Sequence, residues 1–158
     1  MQLTMGDDFL PELDRKLTQK AVEATLEKYR LYKYLDFDER EASMTASYIP
    51  QEGGRSNQAS DQTGEIATHN VDQQAMRRAY CDRIERAVNR LPKRERFLIT
   101  ERYMTADSEY ITDQAVYNFR FDPPISEGTY GKIRWKAFYK IALFLDIAVT
   151  KSAEEGAQ

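Results

Sequence analysis

Between positions 126 and 136 the chain reads SEGTYGKIRWK, setting a hydroxyl at Ser126, a carboxylate at Glu127, hydroxyls at Thr129 and Tyr130 and cations at Lys132, Arg134 and Lys136 on one prospective helix. Hydroxyl and ammonium groups can hydrogen-bond to base edges in a major groove, and a guanidinium forks onto guanine or phosphate. Ser126 is a preferred N-cap, and Glu127 suits the positive end of the helix that follows. Glu127, Gly128, Thr129, Tyr130 and Lys132 then hold the positions that a recognition helix brings nearest the bases, with Arg134 and Lys136 close behind. The competing reading makes Tyr130 part of the core and the three cations a solvated face. Arg77, Arg78, Arg94 and Arg96 are open to the same choice between phosphate anchor and surface charge. Trp135 and Tyr139, with Phe138 and Phe144, read as core rather than as a platform for stacked bases.

Other chemistry finds little support. The chain has one His and one Cys, His69 and Cys81, with nothing to bring them together, so a nucleophilic dyad is not expected. Without a CxxC pair no structural zinc site is expected, and Gly53-Gly54 lacks the Lys-Ser/Thr ending of a phosphate loop. Asp7-Asp8 and Glu154-Glu155 sit near the chain ends as solvating charges. The expectation is a protein that is not an enzyme and uses no cofactor or metal.

The elements that would position the polar set are helical throughout, an all-α reading. Residues 9–35 predict a long helix, with Pro11 in its first turn and one stripe through Leu10, Leu13, Leu17, Ala21, Ala24, Leu31 and Leu35. A second stripe, Val22, Leu26, Tyr29 and Tyr32, widens its apolar surface. That helix serves as a core element or as a dimerisation helix. Gly53 to Gly64 is polar and reads as a linker. Residues 73–91 predict a helix burying Ala75 or Met76, Ala79 or Tyr80, Ile84, Ala87, Val88 and Leu91. Pro92 opens another, with Phe97, Leu98, Tyr103 and Met104 inward. Thr112 caps a short helix through Asn118 that buries Ala115, Val116 and Phe119. Pro123 and Pro124 forbid continuation, and a helix from Glu127 to Leu145 follows with Ile133, Ala137, Ile141 and Leu145 inward. The resulting division is 1–50 helical, 51–70 linker, 71–150 a helix-turn-helix domain and 151–158 a disordered tail.

The net charge of -3 conceals strong segregation. Residues 77–103 carry 9 Lys and Arg against 4 Asp and Glu, and residues 127–151 carry 5 against 2. A phosphate backbone responds to such local patches and not to the sum. The N-terminus lacks the basic start and apolar run of a signal peptide, and no window reaches the roughly 18 apolar residues of a membrane span. A cytoplasmic protein without membrane contact is expected.

Three segments carry a likeness to a known family: EKYRLYKYLDFDERE, YCDRIERAVNRLPKRERFLITERYM and ISEGTYGKIRWKAFYKIALFLDI. With them the chain resembles the ArpU family of phage-encoded transcriptional regulators, and its C-terminal part looks like region 4 of bacterial sigma factors. The resemblance implies an N-terminal helix plus a region-4-like helix-turn-helix bundle. It also implies an activator of late packaging, structural or lysis genes in a bacterial host, with double-stranded DNA as partner. Site residues carried over are Ser126, Thr129, Tyr130, Lys132, Ile133 and Ala137. Host RNA polymerase and a second copy of the chain are further candidate partners. Alternatives are an interaction module contacting polymerase or a sigma factor, and a packaging protein like a terminase small subunit. One departure is the FRFDPP segment between Asn118 and Ile125, longer than the about three or four residues of a compact turn.

Overall fold

A computed structural model describes residues 12–46 and 59–151. The paired acids near both ends, the side chain of His69 and the polar stretch at 47–58 lie outside the described residues, as does Leu10. The described chain is all-α, its only extended pairing a single antiparallel bridge between Leu13 and Thr150.

Helix α1 spans Arg15–Ala46. Asp14 opens it, its carboxylate accepting the Leu17 N–H at 2.9 Å. The buried face is Thr18, Val22, Leu26 and Tyr29, while Leu17 is 36% and Leu31 54% exposed. The core thus takes the second stripe expected from sequence and leaves most of the first outside. Thr18 sets that rotation: its hydroxyl donates to the Val149 carbonyl at 3.2 Å and accepts the Val149 N–H at 3.1 Å, so a polar residue leads the inward face.

Helix α2, Ala59–Asn89, starts inside the stretch expected to be linker. It buries Cys81, Ile84, Ala87 and Val88, with Leu91 buried just past its end, whereas Met76 is exposed. Each fully buried aliphatic side chain here contributes about 1.5–3 kcal/mol relative to exposure. Burial pushes the Cys81 thiol up, as suits an inert core residue.

Helix α3, Lys93–Ile99, follows Pro92 and widens into a π-helical turn at Thr100–Met104. Arg30 of α1 donates to the Tyr103 carbonyl in that turn at 2.9 Å. Helix α4 is one turn, Asp113–Ala115, capped by Thr112 and also widened, through Val116–Arg120. Its end reverses one expectation: Phe119 points outward, and Phe121 is buried edge-on against Phe97, ring centroids 4.9 Å apart.

Helix α5 occupies Glu127–Leu145, the span expected. Ser126 accepts the Thr129 N–H at 3.2 Å, and Asp146 ends the helix at φ 58°, a left-handed conformation that Asp tolerates. Tyr130, Ala137, Phe138, Ile141, Ala142 and Leu145 face inward and meet α1, α2 and α3.

Candidate nucleic-acid interface

Presentation of α5 depends first on the FRFDPP turn. Phe121 N–H donates to the Val116 carbonyl at 3.0 Å and Ile125 N–H to the Tyr117 carbonyl at 3.1 Å. Both ends of the long turn are therefore bonded to the widened end of α4, and the Phe121 ring is buried against Phe97.

A carboxylate supplies the second brace. Asp113 accepts from Arg102 Nε at 2.9 Å, from the Tyr130 hydroxyl at 2.7 Å and from Arg134 at 3.0 Å. One acid thereby joins the end of α3, the start of α4 and the first half of α5. Burial, reinforced by donation to Asp113, raises the Tyr130 hydroxyl well above the ordinary phenol value. A third brace pairs Lys140 with both oxygens of the nearly buried Glu95, at 3.0 and 3.1 Å.

The sequence-derived site residues separate on this framework. Tyr130 is 2% exposed and turned into the core, and Arg134 is held half-buried against Asp113. Ser126 uses its hydroxyl fully as cap, accepting one N–H and donating to Thr129 Oγ1 at 2.9 Å. That arrangement leaves the Thr129 O–H able to donate outward. Glu127, Thr129, Lys132 and Lys136 are exposed, and Lys132 and Lys136 have no ion-pair partner among the described residues. Gly128 and Gly131 have nothing within 4 Å of where a Cβ would stand, so the helix backbone is bare there.

Of the outlying basic residues, Arg94 is exposed and likewise without an ion pair among the described residues, at the start of α3. Arg78 pairs with Asp36 at 2.9 Å, and Arg96 approaches the Asn89 carbonyl at 3.5 Å. Much of the positive charge of α2 is spent in this way: Arg83 reaches the Leu145 carbonyl at 3.3 Å, and Arg90 lies over the Phe144 ring at 5.3 Å. Trp135 and Tyr139 are half-buried and edge-on at 6.2 Å.

The resulting surface is a helix face carrying two cations with no ion-pair partner among the described residues, a donor hydroxyl and bare backbone. Such a face can approach a polyanion closely. Sequence reasoning missed Asp113, Arg102 and Glu95 because each acts through a tertiary partner that local periodicity does not reveal.

Comparison with known proteins adds one relative. The chain is 27% identical over 142 residues to an uncharacterized phage-related protein of Listeria innocua, covering 90% of this chain and 96% of that one. It therefore has a phage-related homologue across nearly its whole length. Neither the protein-family scan nor the search of solved structures found a match. Among the described residues no helix is long and apolar enough to cross a membrane.

Proposed function

We propose that this protein is a phage-encoded regulator of the ArpU type that binds a promoter site in duplex DNA through α5 and activates late genes. Its action is binding rather than catalysis. The observation that carries the reading is the exposed strip Thr129, Lys132 and Lys136 on a helix braced from behind by Asp113, Glu95 and the bonded turn. Rigid support of a face with unpaired cations is what base and phosphate contacts require. The phage-related relative supports the same setting.

Fluorescence anisotropy of the full chain with labelled promoter-length duplexes tests it. Affinity should fall steeply as salt rises, because each phosphate contact releases counterions. Lys132→Ala with Lys136→Ala should lower the slope of log K against log salt by about 2 while leaving the melting temperature in place. Affinity indifferent to salt, or a folded double variant that binds as the wild type does, would overturn the reading. Arg134 is a poor probe, since its loss also removes one of the three donors to Asp113.

A second reading is favoured by an open groove of about 810 Å³ between α1 and residues 104–109, which includes the exposed Leu31 and Tyr34. It makes the protein a contact module for host RNA polymerase or a sigma factor. Capture of purified polymerase without DNA, combined with no duplex binding, would favour it.

A further inference from the structure

The strip of α5 holding Lys132 and Lys136 is bordered on both sides by groups from other helices. On one border the Lys140 and Glu95 pair brings the start of α3, with Arg94, alongside. On the other stands Trp135, and over its ring at 4.9 Å lies the guanidinium of Arg15, from the first turn of α1. We propose that Arg15 is a phosphate-contacting residue, making the first turn of α1 a second wall that grips the duplex backbone beside α5; this rests on the DNA-binding reading above.

Three observations carry the assignment. Arg15 is exposed, and its N–H groups have no acceptor among the described residues, so the stacking on Trp135 leaves its hydrogen-bonding fork available. The neighbouring acids are engaged elsewhere: the Asp14 carboxylate caps α1 on Leu17 N–H, and Glu12 pairs with Lys151 at 2.6 Å. The turn is also tied down, since Asp14 N–H donates to the Val149 carbonyl at 2.7 Å and Thr18 bonds both polar groups of Val149. A cation fixed in place spends little side-chain entropy when a phosphate arrives. Position 15 lies far from every other candidate in sequence, which is why only the fold shows it.

The experiment uses the full chain, a fluorescent mixed-sequence duplex and a salt series for wild type, Arg15→Gln, Arg15→Lys and Lys132→Ala. Arg15→Gln should bind roughly tenfold more weakly and lower the salt slope by about 1, while Arg15→Lys keeps the slope because the charge remains. Melting temperature is followed in parallel. An unchanged slope in Arg15→Gln beside a lowered one in Lys132→Ala overturns the proposal and leaves the α5 reading standing. Failure of Arg15→Lys to retain the slope also overturns it, because the lost quantity would then be packing on Trp135. Wild-type binding that ignores salt overturns the α5 reading and this proposal together.

Discussion

Asp113 receives three donors on one carboxylate, one from the π-helical turn after α3 and two from α5. Tyr130→Phe removes one donor and leaves the acid with two. It should cost about 1 kcal/mol, whereas Asp113→Ala strands Tyr130, Arg102 and Arg134 and should cost about 2 kcal/mol, reduced by water because the acid is 37% exposed. Chemical denaturation of both variants checks the order, and equal losses would show that the carboxylate acts through Tyr130 alone. Glu85 offers a residue-scale test in pH. Burial raises its carboxyl pKa, but donation from Lys33 and Tyr29 outweighs burial and leaves it below its ordinary value of 4.5. A lowered carboxyl pKa means that the folded state holds the charged form more tightly than the unfolded chain. Its contribution is therefore complete above about pH 4.5 and is lost as pH falls through the folded value. In urea titrations the wild type should exceed Glu85→Gln near neutrality, and the gap should close below pH 4.5; a gap independent of pH would remove Glu85 from the account.

The elements differ in how far their local signals could reach. Helix α5 was legible because Ser126, Pro123, Pro124 and the spacing of Ala137, Ile141 and Leu145 all act within the segment itself. Phe119 and Phe121 were not, because the π-helical widening at Val116–Arg120 shifts the phase that a regular helix would give and sends the later ring inward. The rotation of α1 was hidden for a different reason: Thr18 leads its buried face by bonding to Val149, at the far end of the chain. Of the expected reading face, the outward positions of Thr129, Lys132 and Lys136 follow from helical spacing, whereas the diversion of Arg134 to Asp113 needed the fold. Gly131 allows a prediction for the helix as a unit. A methyl there meets nothing within 4 Å, so Gly131→Ala should stabilise the protein by about 1 kcal/mol through helix propensity. If the bare backbone serves close approach to DNA, the same variant should bind duplex more weakly despite its higher stability. Higher stability with unchanged affinity would mean that the glycine has no part in the interface.

At the scale of the molecule, α1 is part of the core that shapes the interface. Val22 and Leu26 are fully buried and Tyr29 nearly so, packed in one cluster with Cys81, Ile84 and Val88 of α2 and with Phe138 and Ile141 of α5. Losing the burial of three such side chains, at about 1.5–3 kcal/mol each, is comparable with the about 5–15 kcal/mol of net stability of a whole domain. Composition alone set the helix-turn-helix part off at residue 71, because the polar run before it hides the later contact between α1 and α5. A fragment of residues 71–151 should therefore fail to fold cooperatively: removing α1 uncovers α2 and α5, and strips Val149 of its bonds to Thr18. Circular dichroism melting of that fragment should show a broad, shallow loss of helix, and addition of a peptide covering residues 12–46 should sharpen it. A fragment that melts as steeply as the full chain would show that α1 is an appendage. In that case the wall beside Trp135 could be removed without disturbing the bundle, and its share of DNA affinity could be measured by deletion alone.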